Sequence, residues 1–349
     1  MTEVADINIR ELASLAGVSI ATVSRVINNP QLVQPDTREH VLEVMRRVNY
    51  APAWTVESRL SGRSRLIAFL FSEKDYYFYS SIRDGLESIV GLRGYTVLYC
   101  PIEAEPQRRS QQLKTIFEQK LDGAIWALRD FHPEDIRMID ERQVPLVLAR
   151  KYDSAPADRY NCCYINFAEA SYRMTRHLLE MGHRRIGLMF ENVSQQFIKS
   201  FCQGWERALR EEQAPIEDDL LLNAPNTMQG GYTKAVELLE RGEMPEAVFC
   251  ASDEQAFGVL KAAHEKGVPV PERLAVAGFT DSPMSNLCDP ELTTIDLPIY
   301  RLGIIAARML FDVIEDTGSE VTPGEVVLQP KLRIRRSCGN EKPINVLFE

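Results

Sequence analysis

The stretch Ile9-Arg10-Glu11-Leu12-Ala13-Ser14-Leu15-Ala16-Gly17-Val18-Ser19-Ile20-Ala21-Thr22-Val23-Ser24-Arg25-Val26-Ile27-Asn28 decides how the rest of the chain is read. Ile9, Leu12, Ala13 and Ala16 recur at i, i+3, i+4 and i+7, which lays one apolar face along a helix over 8–16. Gly17-Val18-Ser19 interrupts it. Gly17 suits the left-handed position after a helix end, and Ser19 is placed to N-cap a second helix over 20–28. Val23 and Ile27 are its expected buried side. Asn28-Asn29-Pro30 ends that helix, and Pro35-Asp36-Thr37 opens a third, expected to bury Val41, Leu42, Met45 and Val48. Short helices joined by a tight glycine turn make a helix-turn-helix unit.

Outward from this head, residues 53–65 form a separate short segment with three arginines, and the pattern then changes. Short apolar runs at 66–71, 95–100, 123–128, 145–149, 186–190, 247–251 and 274–279 alternate with helical periodicity, as at 79–92, 168–181 and 253–266. Strands alternating with helices predict parallel α/β sheets. The rhythm occurs twice, before and after about residue 162. The expected organisation is therefore an all-α head over 1–52, a hinge and linker over 53–65, and an α/β body over 66–349. Within the body, one lobe is assigned about 66–162 and 294–325, and the other about 163–293 and 326–349. Two such lobes leave a cleft at the carboxyl ends of their strands.

Composition narrows the class. The chain has 349 residues, 45% of them hydrophobic, which is ordinary for a folded protein. No apolar run approaches the roughly 18–20 residues that span a bilayer, and the acidic start Met1-Thr2-Glu3-Val4-Ala5-Asp6 lacks the apolar core of a secretory signal. Seven cysteines without a secreted context predict packed thiols rather than a disulfide framework. The reading is a cytoplasmic protein with no membrane association. The net charge of −10 is unevenly spread. Residues 1–65 carry eight arginines against seven acids, whereas the remainder carries 32 basic and 43 acidic side chains. An acidic body repels polyanions, so any nucleic-acid binding is confined to the head.

The head resembles the DNA-binding head of the lactose/galactose repressor (LacI/GalR) family. The shared Val-Ala-x-x-Ala-Gly-Val-Ser-x-x-Thr-Val-Ser-Arg-Val-x-Asn is matched with Leu12 in place of the first valine. Thr37-Arg38-Glu39, Asn49-Tyr50-x-Pro52 and Leu60-x-Gly62 agree as well, and so do Gly182-His183-Arg184-Arg185-Ile186, Ala251-Ser252-Asp253, Gly278-Phe279 and Leu292-Thr293-Thr294 in the body. The resemblance implies a transcription regulator, in most members a repressor, with a co-repressor-dependent or activating regulator of the same family as the alternative, and a periplasmic-binding-protein-like body of two parallel-sheet lobes that holds a controlling metabolite. It implies a homodimer on pseudo-palindromic double-stranded operator DNA, following the two-fold symmetry of the protein.

On this reading the second helix enters the major groove by its N-terminal end. Ile20 and Ala21 suit thymine methyls, and Arg25 reaches guanine O6 and N7. Ser19, Thr22, Ser24, Asn28 and Thr37 are short hydrogen-bonders suited to phosphates, and Tyr50 joins them as a candidate. Residues 53–61 match the hinge helix that forms on operator DNA, with Leu60 as the minor-groove wedge. Trp54 and Glu57 depart from the small residues usual there. The tail over 333–349 has no leucine heptads, so tetramerisation by a coiled coil is not expected.

The effector side departs from the sugar- and purine-binding members. They carry an aspartate just after the Val-Pro strand, where this chain has Arg150. Their arginine before the Gly-aromatic pair is Phe201 here, their Asn-Asp pair is Ser252-Asp253, and the aspartate after Gly278-Phe279 is Thr280, followed by Asp281. A guanidinium in the cleft favours a carboxylate or phosphate, so a sugar acid or sugar phosphate is the expected effector. Phe78, Tyr79 and Phe201 are the expected stacking rings, and Gln195 and Asn226 are further polar candidates. The alternative for Arg150 is pairing with Asp153 or Asp281.

Other chemistry finds no residues. The five histidines never take metal-ligand spacing. Cys162-Cys163 is a vicinal pair on a strand whose side chains point to opposite faces. No nucleophile elbow, Walker loop or dinucleotide fingerprint occurs. Neither enzyme activity, metal nor cofactor is expected. A solute-binding protein is the alternative class, disfavoured by the head and by the acidic N-terminus.

Overall fold

A computed structural model describes residues 9–28, 33–48, 63–72, 76–103, 105–155, 159–191, 195–315 and 323–339. The described residues up to Leu66, with Lys120–Asp122, form one compact unit, and the other described residues form another.

The first unit holds α1 (Ile9–Leu15), α2 (Ile20–Asn28) and α3 (Pro35–Arg47). Gly17 ends α1 at φ 62°. There the Gly17 N–H donates to the Ser14 carbonyl at 3.2 Å and the Val18 N–H to the Ala13 carbonyl at 3.0 Å, the paired bonds of a Schellman turn. Leu12, Ala13, Ala16, Val23, Val26, Val41 and Val44 form the head's core. Leu42, expected inside, is exposed. The third helix turns Val41, Val44 and Val48 inward at i, i+3 and i+7, and that register carries Leu42 to the solvent side.

The second unit contains two parallel sheets. The first lobe's sheet has the order β11-β5-β4-β3-β1-β2, built from β1 (Leu66–Ser72), β2 (Thr96–Ile102), β3 (Gly123–Trp126), β4 (Leu146–Leu148), β5 (Asn161–Ile165) and β11 (Glu325–Leu328). Around it lie α4 (Tyr76–Val90), α5 (Pro106–Phe117), α6 (Pro133–Arg142) and α11 (Ile299–Glu315). The second sheet, β7-β6-β8-β9, is formed by β6 (Ile186–Phe190), β7 (Leu221–Asn223), β8 (Ala247–Cys250) and β9 (Ala275–Ala277), with α7 (Phe167–Glu180), α8 (Gln195–Glu211), α9 (Met228–Arg241) and α10 (Asp253–Glu265). A small antiparallel pair, β10 (Thr294–Asp296) and β12 (Lys331–Arg333), lies beside the crossings.

The lobe boundaries differ from the sequence reading. Residues 163–165 and 326–328 belong to the first sheet, because β5 pairs with β4 and with β11 in parallel register. The chain therefore changes lobe just after β5, between β10 and α11, and between β11 and β12. Cys163 is buried and Cys162 half-buried on opposite faces of β5. Cys202 and Cys288 are also only half-buried, whereas Cys100, Cys250 and Cys338 are buried.

Helices α4 and α11 pack directly on one another. A Cβ on Gly303 would overlap the Ile82 carbonyl oxygen, and one on Gly85 the Tyr300 carbonyl oxygen. Two glycines at one crossing let the backbones touch. No described helix is long and apolar enough to cross a membrane.

Candidate nucleic-acid interface and interlobe cleft

The start of α2 combines a cap with an exposed surface. Ser19 Oγ accepts the Thr22 N–H at 3.1 Å and lies 2.8 Å from Thr22 Oγ1, so Ser19 caps the helix as its position predicts. Ile20 is 45% exposed, an uncommon place for isoleucine on a folded head. Ala21 and Arg25 are exposed too, while Thr22, Ser24 and Thr37 are half-buried. The inner face of the same helix is consumed by Val23 and Val26. The core thus fixes which side of α2 faces outward, and that side carries the apolar pair and one guanidinium. The side chain of Asn28 lies outside the described residues, as do Tyr50, Leu60 and the hinge segment 53–61.

In the body, both sheets reverse their strand order between neighbours, β1/β3 in the first and β6/β8 in the second. Loops beyond the carboxyl ends of such strands line a crevice. Lys199 on α8 reaches Asp153, which follows β4, at 3.7 Å. That pair links the segment beyond β4 of the first sheet to the helix that follows β6 of the second.

The sequence candidates separate into two groups at this cleft. Arg150, half-buried beyond β4, donates from Nη2 to the Tyr79 hydroxyl at 3.3 Å. Tyr79 in turn donates to the Ala127 carbonyl beyond β3 at 2.7 Å. Tyr79 is 2% exposed and packs by its edge on Phe69, so it holds the guanidinium in place instead of offering a face for stacking. Cys162 Sγ donates to the Arg150 carbonyl at 3.2 Å, and burial pushes that thiol up to about 12. Asp153 and Asp281, the two acids weighed as partners for Arg150, are engaged by Lys199 and Arg335 respectively. Asn226 is exposed beyond β7, its N–H donating to Glu191 at 3.3 Å. The side chains of Phe78 and Gln195, in the opening turns of α4 and α8, lie outside the described residues.

The remaining candidates are structural. Phe201 is fully buried, 4.9 Å from the Phe249 ring and 5.1 Å from that of Phe279. An apolar ring at this turn of α8 completes the second lobe's core, so it is not a ligand-facing ring. Ser252 caps α10 by accepting the Gln255 N–H at 3.2 Å. Asp253 is fully buried, and protein donors fill it: Thr294 Oγ1 at 2.6 Å, the Ser282 N–H at 2.6 Å, Ser285 Oγ at 2.8 Å and Thr280 Oγ1 at 3.4 Å. Asp281 accepts from Arg335 at 2.6 Å and lies 3.7 Å from Arg333. Nothing in spacing announced these partners, since positions 253, 280–285, 294 and 335 meet only through the tertiary fold. Among the described residues no group of three or more histidine, cysteine or carboxylate side chains is placed to hold a metal.

A capped helix presenting its outer face from a three-helix head, joined to a two-lobed parallel-sheet body, defines a ligand-responsive DNA-binding regulator. Residues 8–53 match the model described as bacterial regulatory proteins, lacI family, and residues 175–338 match that of the periplasmic binding protein-like domain. Together they take in more than half of the chain, and the protein belongs to the lacI family of transcriptional regulators. Among its relatives are the HTH-type transcriptional repressor PurR of Actinobacillus pleuropneumoniae serotype 5b, 27% identical over 95% of this chain and 98% of that protein. Catabolite control protein A of Priestia megaterium is 28% identical over 87% and 92%. Among solved structures, a lac repressor dimer bound to operator and the anti-inducer ONPF superposes with a TM-score of 0.74 at 25% identity, covering 95% of this chain and 99% of that one. A complex of the transcriptional regulator CelR with cellobiose gives 0.71 at 27% identity, with the same coverage.

Proposed function

We propose that this regulator is a homodimeric, cytoplasmic repressor that places two copies of α2 on a pseudo-palindromic operator of nucleoid DNA and is controlled by an anionic metabolite, a sugar acid or sugar phosphate, held between its lobes. Ser19, Thr22, Ser24, Asn28, Thr37 and Tyr50 contact phosphates, Ile20, Ala21 and Arg25 face base edges, and Leu60 enters the minor groove. What supports the effector reading above all is the placement of Arg150. Its guanidinium stands at the carboxyl ends of the first sheet's strands, braced by the Tyr79 hydroxyl at 3.3 Å. Asp253, the buried acid of the opposite lobe, is already filled by protein donors. A cleft with a positioned cation and a sequestered carboxylate selects negative charge. CelR, by contrast, was solved with cellobiose, a neutral sugar.

The experiment selects operator duplexes from random DNA with the full chain and then titrates the complex with aldonates, uronates, sugar phosphates and their neutral parent sugars. The expected result is a response to an acid or phosphate that Arg150→Glu abolishes and Arg150→Gln weakens, with operator affinity retained. Arg25→Ala lowers operator affinity by about 1–3 kcal/mol and relaxes preference at one base of each half-site. A neutral sugar that releases the duplex equally well from wild type and Arg150→Glu overturns the effector reading.

A further inference from the structure

We infer that Asp253 is a positioning residue, the pin of a latch that fastens the cleft loop over 280–282 to β10, the strand that leads into the second lobe crossing. This rests on the reading of the body as a two-lobed, ligand-responsive unit. It reassigns a residue of the expected effector set to the coupling machinery.

The latch is built on both sides of one buried carboxylate. Oδ1 accepts from Thr294 on β10 at 2.6 Å. Oδ2 accepts from the Ser282 N–H at 2.6 Å, Ser285 Oγ at 2.8 Å and Thr280 Oγ1 at 3.4 Å. No water reaches Asp253, whose exposure is 0%, and a buried carboxylate left without donors is strongly disfavoured. Movement of the 280–282 loop and movement of β10 are therefore tied together. Space allows little else, because a Cβ on Gly278 would overlap Asp253 Oδ1.

The loop itself is held away from its relaxed shape. Thr280 has φ 131° and Asp281 φ 52°, conformations that non-glycine residues keep only when their surroundings impose them. Asp253 fixes the first of these residues, and Arg335 Nη2 fixes the second by donating to Asp281 Oδ1 at 2.6 Å. Arg335 belongs to the segment just beyond β12. The same segment is anchored again where its N–H donates to Thr293 Oγ1 at 2.8 Å, and where Ser337 Oγ donates to the Val276 carbonyl at 2.6 Å. Cys338 Sγ accepts from Thr293 Oγ1 at 3.0 Å and lies 3.1 Å from His177 Nε2 near the end of α7, the helix that follows the first crossing. Segments beside two of the three lobe crossings, and the far end of the helix that follows the other, thus meet in one polar network whose other end is a strained loop at the cleft. A ligand that displaces Thr280 must either break the bonds to Asp253 or carry β10 with it, and the second course turns the lobes.

Amide hydrogen exchange on the full-length protein, with no ligand added, tests this. Thr294→Val keeps the shape and removes the hydroxyl donor. The expected result is at least tenfold faster exchange in β10, β12 and residues 280–285, with β6 and β8 unchanged, and Thr294→Ser restoring wild-type rates. Ser285→Ala, which removes a different donor to the same carboxylate, loosens the same segments and serves if the valine variant does not fold. Unchanged exchange at β10 in the folded variants overturns the proposal. So does acceleration of β6 and β8 to the same extent as β10, which marks a general loss of stability. Because no effector is present, failure here leaves the Arg150 test untouched, and the reverse holds as well.

Discussion

Replacing Phe201 with alanine removes a ring wholly enclosed by the second lobe, and the size of the loss separates a core role from a ligand-facing one. The ring has 0% exposure and touches Phe249 and Phe279 at centroid distances of 4.9 and 5.1 Å. Truncating a buried phenylalanine forfeits its transfer free energy and leaves a cavity, together about 3–5 kcal/mol. Two ring contacts of about 0.5–1.5 kcal/mol each lie within that figure. The collapse of the site is restricted because Phe249 sits on a central strand of the sheet and cannot follow. Urea slopes are ~1–3 kcal/mol/M for small proteins and rise with size, so at a slope near the top of that range the midpoint falls by roughly 1 M. Equilibrium unfolding followed by tryptophan fluorescence measures it. Trp205, one turn further along α8 and bonded to the Ile186 carbonyl at 3.1 Å, reports on the same core. Phe201→Leu, which keeps part of the buried apolar volume, costs less than the alanine change. A ring facing an open cleft would cost no more than about 0.5 kcal/mol on truncation. A midpoint for Phe201→Ala within about 0.2 M of wild type refutes the core assignment.

Gly303→Ala forces a methyl into the Ile82 carbonyl and prises α4 from α11, so it destabilises the first lobe by about 1–3 kcal/mol or more. Gly91→Ala, with nothing within 4 Å of the new Cβ, leaves thermal stability unchanged or slightly raised, and equal melting temperatures for the two variants would contradict the close crossing. Burial holds the pKa of His177 below its ordinary value of 6.5. The unfolded chain therefore binds the extra proton first, and this contribution to stability is complete above about pH 6.5 and declines as the pH falls toward the folded-state value. His177→Gln flattens the dependence of unfolding free energy on pH between about 7.5 and 5.5, and an undiminished slope would assign it to other groups.

What was legible in the sequence was local. The 3.6-residue period at Ile9, Leu12, Ala13 and Ala16, the left-handed glycine at 17 and the cap at Ser19 each act within a few residues, so the head and its outward face were readable before any packing was known. The alternation of apolar runs with amphipathic helices announced two parallel sheets for the same reason. The strands β7, β10, β11 and β12 were missed because none of them carries an apolar run as long as those at 145–149 and 274–279, which marked the equally short β4 and β9. The edges of the lobes were misplaced because β5 and β11 are joined only by pairing across the sheet.

The cleft divided along the same line. Arg150 could be picked out because the residue after a strand stands at the sheet's carboxyl end whatever surrounds it. Phe201, Asp253 and Asp281 could not be sorted by residue type, since an aromatic ring or a carboxylate serves a ligand and a core alike. What decided between these roles was the company each side chain keeps. Phe201 lies among other rings, Asp253 among hydroxyls from positions 280, 285 and 294, and Asp281 against Arg335. Those partners are brought together by a chain that changes lobe three times, and no local pattern encodes such a path. The sequence alone determined the elements and the head's outward face; tertiary structure decided which polar groups of the body are already satisfied by protein, because burial and hydrogen bonding between distant segments exist only once the chain has closed on itself.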